Sequence, residues 1–340
     1  RKQLVVASSE EEGFTARVFD AASGEEVLVF EGGHTEEIWS VQFSSDGKRV
    51  VTASADGTAK IWDAETGKEL QKLNGKVYSP SESAAFSPDR KLVLTSGQFE
   101  PVRLWDAESG RLVKKLEGRN GSVGAATFSP DSKLVAIGMD DCTARLWDVS
   151  SGREVLRLRG HTGRLFSAAF SADGKLVVTA SEDQTARVWD AKSGEEVLRL
   201  KHGAVNSFND EGDGDGEDGE DGEDDEDDDD FDEGFSAAFS PDGKLIMTVS
   251  TSENQTLKMW DAASGEKLWQ HRGYNIAAGS AAFNADGTLM VASTQERGAA
   301  GAQLLDAHTG KPVGRRFSDC DGYSAAFCPV WGLPPPGPGP

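Results

Sequence analysis

Cysteine is scarce in this chain of 340 residues, where Cys142, Cys320 and Cys328 lie far apart. Three scattered thiols do not form the disulfide framework of a small secreted domain, and they lack the close spacing of a cysteine zinc site. We therefore expect a reducing compartment, and a cytoplasmic location is the simplest interpretation. No apolar run approaches the roughly 18 residues that a membrane-spanning helix needs, so no membrane partner is expected.

Positive charge is missing from one long segment. Residues 209–233 contain 18 Asp or Glu and no Lys or Arg, whereas the rest of the chain has 40 acidic and 35 basic residues. The formal net charge of −23 is therefore mostly local. No cluster of Lys and Arg is visible along the sequence, and phosphate backbones are bound by such clusters. A nucleic-acid partner is not expected.

A repeated phrase occupies most of the chain. The intervals between its landmarks are 43, 43, 42, 42, 71 and 45 residues, and each landmark is followed by Asp: Phe19, Trp62, Trp105, Trp147, Trp189, Trp260 and Leu305. Each unit holds four short apolar or alternating runs separated by turn residues, which is the pattern of successive antiparallel hairpins. Sheets of this size cannot bury both faces alone, so we expect them to pack radially around an axis.

The two ends of the chain complete one unit, because the sequence begins with a second strand and ends with a first strand. Residues 1–328 are predicted to form an all-β, seven-bladed propeller in which the C-terminal strand pairs with the N-terminal three. The acidic segment, residues 203–233, is predicted to be a low-complexity insertion on the top face of the propeller. Residues 329–340, rich in Pro and Gly, are predicted to be a tail.

The Gly-His, Ser-Pro-Asp-Gly and Trp-Asp phrases, in that order and at that period, resemble the WD40-repeat family of prokaryotic type across residues 1–328. The resemblance implies a tetrad of hydrogen-bonded His, Ser or Thr, Asp and Trp side chains that stabilises a blade. The pattern maps fully onto two units, with His-to-Asp spacings of 22 and His-to-Trp spacings of 28 in both: His34, Thr52, Asp56, Trp62 and His161, Thr179, Asp183, Trp189.

Other units depart from the tetrad. The fourth keeps Asp141 and Trp147 but has Arg119 and Ile137 at the other two places, and the last has lost its Trp. No matching acid or thiol pattern surrounds the remaining histidines, which we expect to be ordinary surface residues: His202, His271 and His308. Nothing here indicates metal or nucleophile chemistry, so no cofactor is expected.

The resemblance also implies that partners dock on the narrow top face. A ring placed by spacing contains four aromatic residues, Trp39, Phe166, Phe235 and Tyr323. The same ring contains Glu82, and neighbouring positions supply five acids and one base: Glu37, Asp140, Glu182, Glu253, Asp321 and Arg164. Exposed aromatic rings bordered by carboxylates suit a basic or amphipathic peptide, through cation–π contacts and charge complementarity. We predict a non-enzymatic protein-interaction scaffold, monomeric by default.

Other interpretations stay open. The propeller is alternatively a sensor or assembly module of a larger signalling protein, or a hydrolase that uses the carboxylates of Asp140 and Glu182 at the channel mouth. The acidic insertion recruits basic partners or is a spacer. Five of its residues fall near the ligand positions of a calcium-binding loop, although no helices flank them: Asn209, Glu211, Asp213, Asp215 and Glu220.

Overall fold

A computed structural model describes residues 3–10, 13–20, 23, 25–30, 32–74, 83–97, 100–116, 123–202, 235–250, 256–272, 281–296, 299–314, 317–318 and 325–327. These residues form 28 β-strands in seven four-stranded antiparallel sheets, arranged as the blades of a seven-bladed propeller. The predicted all-β propeller is thereby confirmed. Within the described ranges, no helix is long and apolar enough to cross a membrane.

The strands are numbered in chain order. Blade 1 contains β28 (Ala325–Phe327), β1 (Gln3–Glu10), β2 (Gly13–Asp20) and β3 (Glu26–Phe30). Blade 2 contains β4 (Ile38–Phe43), β5 (Arg49–Ser54), β6 (Ala59–Asp63) and β7 (Glu69–Leu73). Blade 3 contains β8 (Ser83–Phe86), β9 (Leu92–Gly97), β10 (Glu100–Asp106) and β11 (Leu112–Leu116). Blade 4 contains β12 (Val123–Phe128), β13 (Leu134–Met139), β14 (Thr143–Asp148) and β15 (Arg153–Arg159).

The remaining blades follow the same order. Blade 5 contains β16 (Leu165–Phe170), β17 (Leu176–Ser181), β18 (Thr185–Asp190) and β19 (Glu196–Lys201). Blade 6 contains β20 (Phe235–Phe239), β21 (Leu245–Ser250), β22 (Thr256–Asp261) and β23 (Lys267–Arg272). Blade 7 contains β24 (Ala281–Phe283), β25 (Leu289–Glu296), β26 (Ala299–Asp306) and β27 (Phe317–Ser318).

Blade 1 combines one strand from the C-terminal part of the chain with three strands from the N-terminal part. Strand β28 pairs antiparallel with β1, with Leu4 opposite Phe327, and β1 pairs in turn with β2. In the other six blades the four strands are consecutive in the chain, as expected for a meander of hairpins.

Short turns rich in Ser, Asp and Gly connect the first strand of a blade to the second. In blade 2, the Ser44 hydroxyl donates to Asp46 Oδ1 at 2.7 Å, and the Lys48 backbone N–H donates to the same oxygen at 3.2 Å. Gly47 between them has a φ of 67°, a conformation that costs glycine little. Such turns form the bottom edge of the propeller, and the described connections between blades, residues 32–37 and 160–164, lie at the opposite, top edge.

The apolar core lies between neighbouring blades. Val51 and Ile61 of blade 2 pack in one buried cluster with Phe86 and Trp105 of blade 3. Second and third strands are buried on both faces because each is sandwiched between adjacent sheets, which explains their continuous apolar runs. The outer strands of blades 2 and 5, β7 and β19, are mostly exposed and bury one leucine each.

Candidate functional site

A chain of hydrogen bonds crosses blade 2 beneath the top edge. Trp62 Nε1 donates to Thr52 Oγ1 at 2.9 Å, Thr52 Oγ1 lies 2.7 Å from His34 Nε2, and His34 Nδ1 lies 2.8 Å from Asp56 Oδ2. An indole N–H can only donate and a carboxylate can only accept, so the chain runs in one direction. The Thr52 hydroxyl then donates to Nε2, and the Nδ1 proton of a neutral His34 goes to Asp56.

Blade 5 repeats this arrangement. Trp189 Nε1 donates to Thr179 Oγ1 at 2.8 Å, and His161 lies 2.8 Å from both Thr179 Oγ1 and Asp183 Oδ2. Burial lowers the pKa of His161, which keeps the ring neutral. Burial raises the pKa of Asp183, but hydrogen bonds from Thr185 and His161 outweigh it and lower the value to about 2. With neutral rings and fully used donors, both networks are built to hold strands together.

Steric crowding explains why glycine precedes histidine in each Gly-His phrase. A Cβ added to Gly33 would lie 2.0 Å from the indole ring of Trp62, and one added to Gly160 would lie 3.2 Å from the ring of Trp189 and 2.8 Å from Arg187. The indole of the tetrad therefore occupies the space that any larger side chain would need.

A third histidine is buried in blade 6, which corrects the expectation that His202 is an ordinary surface residue. Its exposed fraction is 8%, its Nδ1 lies 3.0 Å from Thr248 Oγ1, and its Nε2 lies 2.6 Å from Thr256 Oγ1. Trp260 Nε1 donates to the same Thr248 hydroxyl at 2.8 Å. Burial, followed by the charges of Lys258 and Lys267, lowers the pKa of His202 to about 3. His271 is half-buried and bonds the Gly310 carbonyl at 2.7 Å, while His308 is exposed.

Blade 4 has lost its hydrogen-bond chain. Trp147 is 6% exposed, and its Nε1 has no acceptor within the described part of the chain. Ile137, which replaces the threonine, has no polar side-chain atom to offer. The Nε of the buried Arg145 is also unpartnered, although its terminal nitrogens pair with Asp141 and, at 3.8 Å, with Glu154. Two buried donors in this blade thus lack an acceptor, whereas in blade 5 Thr179 Oγ1 accepts from Trp189 Nε1 at 2.8 Å and Thr185 Oγ1 accepts from Arg187 Nε at 3.3 Å.

Trp39 and Phe166 share one backbone position at the top edge, and blade 4 has a register irregularity at the same place, between Val123 and Ala126. In blade 2, Ile38 pairs with Ser54 and Ser40 with Ala53, so Trp39 is the extra residue of a β-bulge. In blade 5, Leu165 pairs with Ser181 and Ser167 with Ala180, so Phe166 is the extra residue. A bulge re-aims the side chain it carries, and both rings are only partly buried.

Phe235 does not join these two rings, which corrects its predicted place in an exposed aromatic ring. The first two strands of blade 6 pair without a bulge, since Phe235 pairs with Ser250 and Ser236 with Val249 in regular register. Its register partner makes it the equivalent of Ile38 and Leu165, each 3% exposed. Phe235 accordingly is 6% exposed and packs in the core between blades 5 and 6.

The charged residues around the two bulges are mostly acidic. Glu37 Oε2 accepts from Trp39 Nε1 at 3.3 Å, and the Arg164 guanidinium lies 4.9 Å from the centre of the Phe166 ring. Glu182 accepts from the Arg164 backbone N–H at 3.3 Å and is exposed. Asp140, in the adjacent blade 4, is exposed as well. Apart from the buried Phe235, the predicted top-face residues that the structure describes are therefore two aromatic rings, three acidic side chains and one base already engaged with a ring.

Several predicted residues lie outside the described ranges. These are Glu82, Glu253, Asp321 and Tyr323 of the top-face set, Arg119, and the calcium candidates Asn209, Glu211, Asp213, Asp215 and Glu220. Among the residues that the structure describes, no group of three or more His, Cys, Asp and Glu side chains is arranged to hold a metal ion.

Seven four-stranded blades with recurring Trp–Thr–His networks define a repeat propeller. Comparison with protein families matches the WD domain, G-beta repeat, at residues 24–63, 110–148, 152–190 and 235–261. The chain is a WD40-repeat β-propeller. Propellers of this family are generally protein-interaction scaffolds and typically non-enzymatic. No curated protein matches the chain.

Proposed function

We propose that the propeller holds a basic or amphipathic segment of a partner protein at the top edge, between the bulges that carry Trp39 and Phe166. The observation that carries this proposal is that the same bulge occurs in blades 2 and 5 and leaves an aromatic ring only partly buried at the top edge each time, although Phe166 still packs with one side against the core between blades 5 and 6. A bulge interrupts the ladder of hydrogen bonds between strands. Its presence at two aromatic positions is consistent with a purpose beyond packing.

Charge supports a cationic ligand. Asp140 and Glu182 are exposed on adjacent blades, and Glu37 lies beside Trp39. The Arg164–Phe166 contact at 4.9 Å shows that one of these rings accepts a guanidinium on its face. A partner's Arg or Lys side chain would meet the same combination of ring and carboxylate, in which cation–π attraction and charge complementarity reinforce each other. An acidic partner would be repelled.

The test is a binding selection at low salt, with the intact chain immobilised and a peptide library varied in charge and aromatic content. Enrichment of peptides rich in Lys and Arg supports the proposal. The double variant Trp39→Ala/Phe166→Ala should then weaken binding of the selected peptides by at least ~10-fold, in line with the cost of removing aromatic anchors at interfaces.

A matched control removes apolar side chains elsewhere. Val27 and Val313, which are 44% and 37% exposed on outer strands or beside them, are replaced in Val27→Ala/Val313→Ala. This variant should bind as the unmodified chain does. Selection of neutral or acidic peptides, or unchanged affinity after Trp39→Ala/Phe166→Ala, would move the binding site away from the top edge.

A further inference from the structure

The outer wall of the propeller is unevenly charged. Strands β11, β15 and β19, the outer strands of blades 3, 4 and 5, carry two Glu and seven Lys or Arg: Lys114, Lys115, Arg153, Arg157, Arg159, Arg199 and Lys201. The outer strands of blades 1 and 2 have Glu26, and Glu69 with Lys72. The sequence hides this concentration because the three strands are some 40 residues apart. In a chain of net charge −23, three adjacent blades thus form a basic surface.

These three strands share one outward pattern. Side chains two apart lie on the same face of a strand, so an apolar residue near the bottom edge is followed by cations toward the top edge. The sets are Val113 with Lys115, Val155 with Arg157 and Arg159, and Val197 with Arg199 and Lys201. The three valines are 53%, 54% and 58% exposed, the highest values among the exposed large apolar residues of the described chain. We call these eight residues the basic wall.

Part of this charge is already compensated. Arg157 forms two hydrogen bonds with Glu154, each 2.8 Å long, and Arg199 bonds Glu196 at 2.8 and 3.0 Å. The other three cations of the wall, Lys115, Arg159 and Lys201, are exposed and make no ion pair with a described residue. One uncompensated cation therefore stands on each of three neighbouring blades.

The chain itself contains a segment of the complementary charge. Lys201 is the last residue of β19 and is followed directly by His202, after which the acidic insertion of residues 203–233 begins. At its other end, Phe235 contacts the His202 ring, with the ring centres 4.8 Å apart. The two described residues that flank the insertion, His202 and Phe235, are therefore in contact, and His202 directly follows Lys201, the last cation of the wall. Tethering at this range gives a local concentration on the order of millimolar, so even weak charge pairing is populated.

We propose that the basic wall is a docking surface for the chain's own acidic insertion, with Lys115, Arg159 and Lys201 receiving its carboxylates. Phe208 and Phe231 lie near the two ends of the acidic run, and they supply apolar groups that fit the exposed valines. The wall faces sideways, whereas the proposed partner site lies at the top edge. The inference does not depend on the proposed partner.

The experiment is zero-length carbodiimide coupling of the intact chain at low salt, followed by peptide mapping with mass spectrometry. Carbodiimide joins a lysine amine to a carboxylate only when the two are in contact. We expect Lys115 and Lys201 to couple to acids of the insertion within one molecule, and this product to fade at about 0.5 M salt, where screening shortens the reach of exposed charges. Coupling of Lys60 to Glu69, 2.8 Å apart, is the positive control for the reaction.

Matched lysines and variants separate docking from random encounter. Lys133 and Lys175 are 77% and 79% exposed in bottom-edge turns, and should stay largely uncoupled to the insertion. Arg159→Glu should lower coupling at Lys115 and Lys201 about two- to fivefold, the range expected for exposed ion pairs. Lys175→Glu makes the same change of charge and should leave the coupling unaltered. Equal coupling to the bottom-edge lysines, coupling only between molecules, or no effect of Arg159→Glu would overturn the proposal.

Discussion

His202 and Phe235 stand next to each other in space although the acidic insertion separates them in sequence. Their ring centres are 4.8 Å apart and their planes meet at 66°, an edge-to-face contact. His202 is anchored by Thr248 and Thr256, and Phe235 by the core between blades 5 and 6. The two described residues that flank the insertion in sequence are thus held together by a ring contact inside the fold.

Because of these contacts, we expect His202 to contribute to the stability of the fold. We expect His202→Ala to lower the free energy of unfolding by about 2–4 kcal/mol, because it leaves a cavity and two buried threonine hydroxyls without their ring partner. The measurement is urea unfolding followed by tryptophan fluorescence. His308→Ala, an exposed turn position, is the control and should stay within about 0.5 kcal/mol of the unmodified chain. Equal effects would show that the His202 contacts contribute nothing.

A second pair of variants distinguishes a core ring from a surface ring. Phe235→Ala should cost about 3–5 kcal/mol of stability, since the side chain is 6% exposed and packs between two blades. Phe166→Ala removes the same atoms from a bulge position and should cost clearly less. Thermal unfolding monitored by circular dichroism gives both values. A larger loss for Phe166→Ala would mean that the bulge ring belongs to the core, and would weaken the proposed binding site.

Much of the fold follows from the sequence because the repeat is strict. The landmark intervals predict seven blades, and the spacings of 22 and 28 residues locate the hydrogen-bonded sets of His34 and His161. These features depend on local turn chemistry and on strand length. Both recur along the repeat, so they can be predicted from the sequence alone.

The sequence-based predictions that were wrong lie where the pairing register of the strands or the spacing of the repeat changes. Counting residues treats Phe235 as the equivalent of Trp39, but the bulge adds one residue in blade 2 and none in blade 6. His202 escapes detection because Lys201 replaces the glycine before it, and because the insertion separates it from its blade. The Thr-to-Trp spacing there is 12 residues and not 10. The basic wall could not be predicted from the sequence for a different reason, because its residues come from strands that are distant in sequence.

The buried histidines predict how stability depends on pH. Burial lowers the pKa of His34, His161 and His202, the last to about 3, whereas an unfolded histidine titrates near 6.5. Between these values the unfolded chain binds more protons than the folded chain, so stability falls as the pH falls. Each such histidine contributes about 1.4 kcal/mol per pH unit below its unfolded pKa. Asp183, whose pKa is about 2, adds to the loss only below about pH 4.

Urea midpoints measured between pH 7.5 and 4.5 test this dependence. The unmodified chain should be most stable above about pH 7 and lose stability steadily below about pH 6.5. His202→Asn should have a shallower slope, because one titrating group is removed, while His308→Asn should reproduce the original slope. A midpoint that stays constant from pH 7 to 5 would mean that the three rings accept protons in the folded state.

Trp147 and Trp189 allow an unpaired and a hydrogen-bonded indole N–H to be compared within one chain. Trp189→Phe removes the Nε1–H group that donates a hydrogen bond to Thr179 Oγ1 at 2.8 Å. Trp147→Phe removes an Nε1–H group that has no acceptor in the described chain. Both changes delete the same atoms from side chains that are 2% and 6% exposed, so the cavity cost is nearly shared. Leaving Trp147 Nε1 buried and unpaired carries a desolvation penalty, which its phenylalanine variant relieves. Trp189→Phe should therefore destabilise the propeller by about 1–3 kcal/mol more than Trp147→Phe in urea unfolding.

A threonine in blade 4 extends this comparison, because it would restore the missing acceptor. The hydroxyl introduced by Ile137→Thr can accept from Trp147 Nε1, whereas in a chain that also carries Trp147→Phe it finds no indole donor. Ile137→Thr should therefore cost less stability in the otherwise unmodified chain than in the Trp147→Phe background, since an unpaired buried hydroxyl keeps its desolvation penalty. Equal costs in both backgrounds, together with equal costs for the two Trp→Phe variants, would show that the network of blade 5 fixes geometry without adding stability.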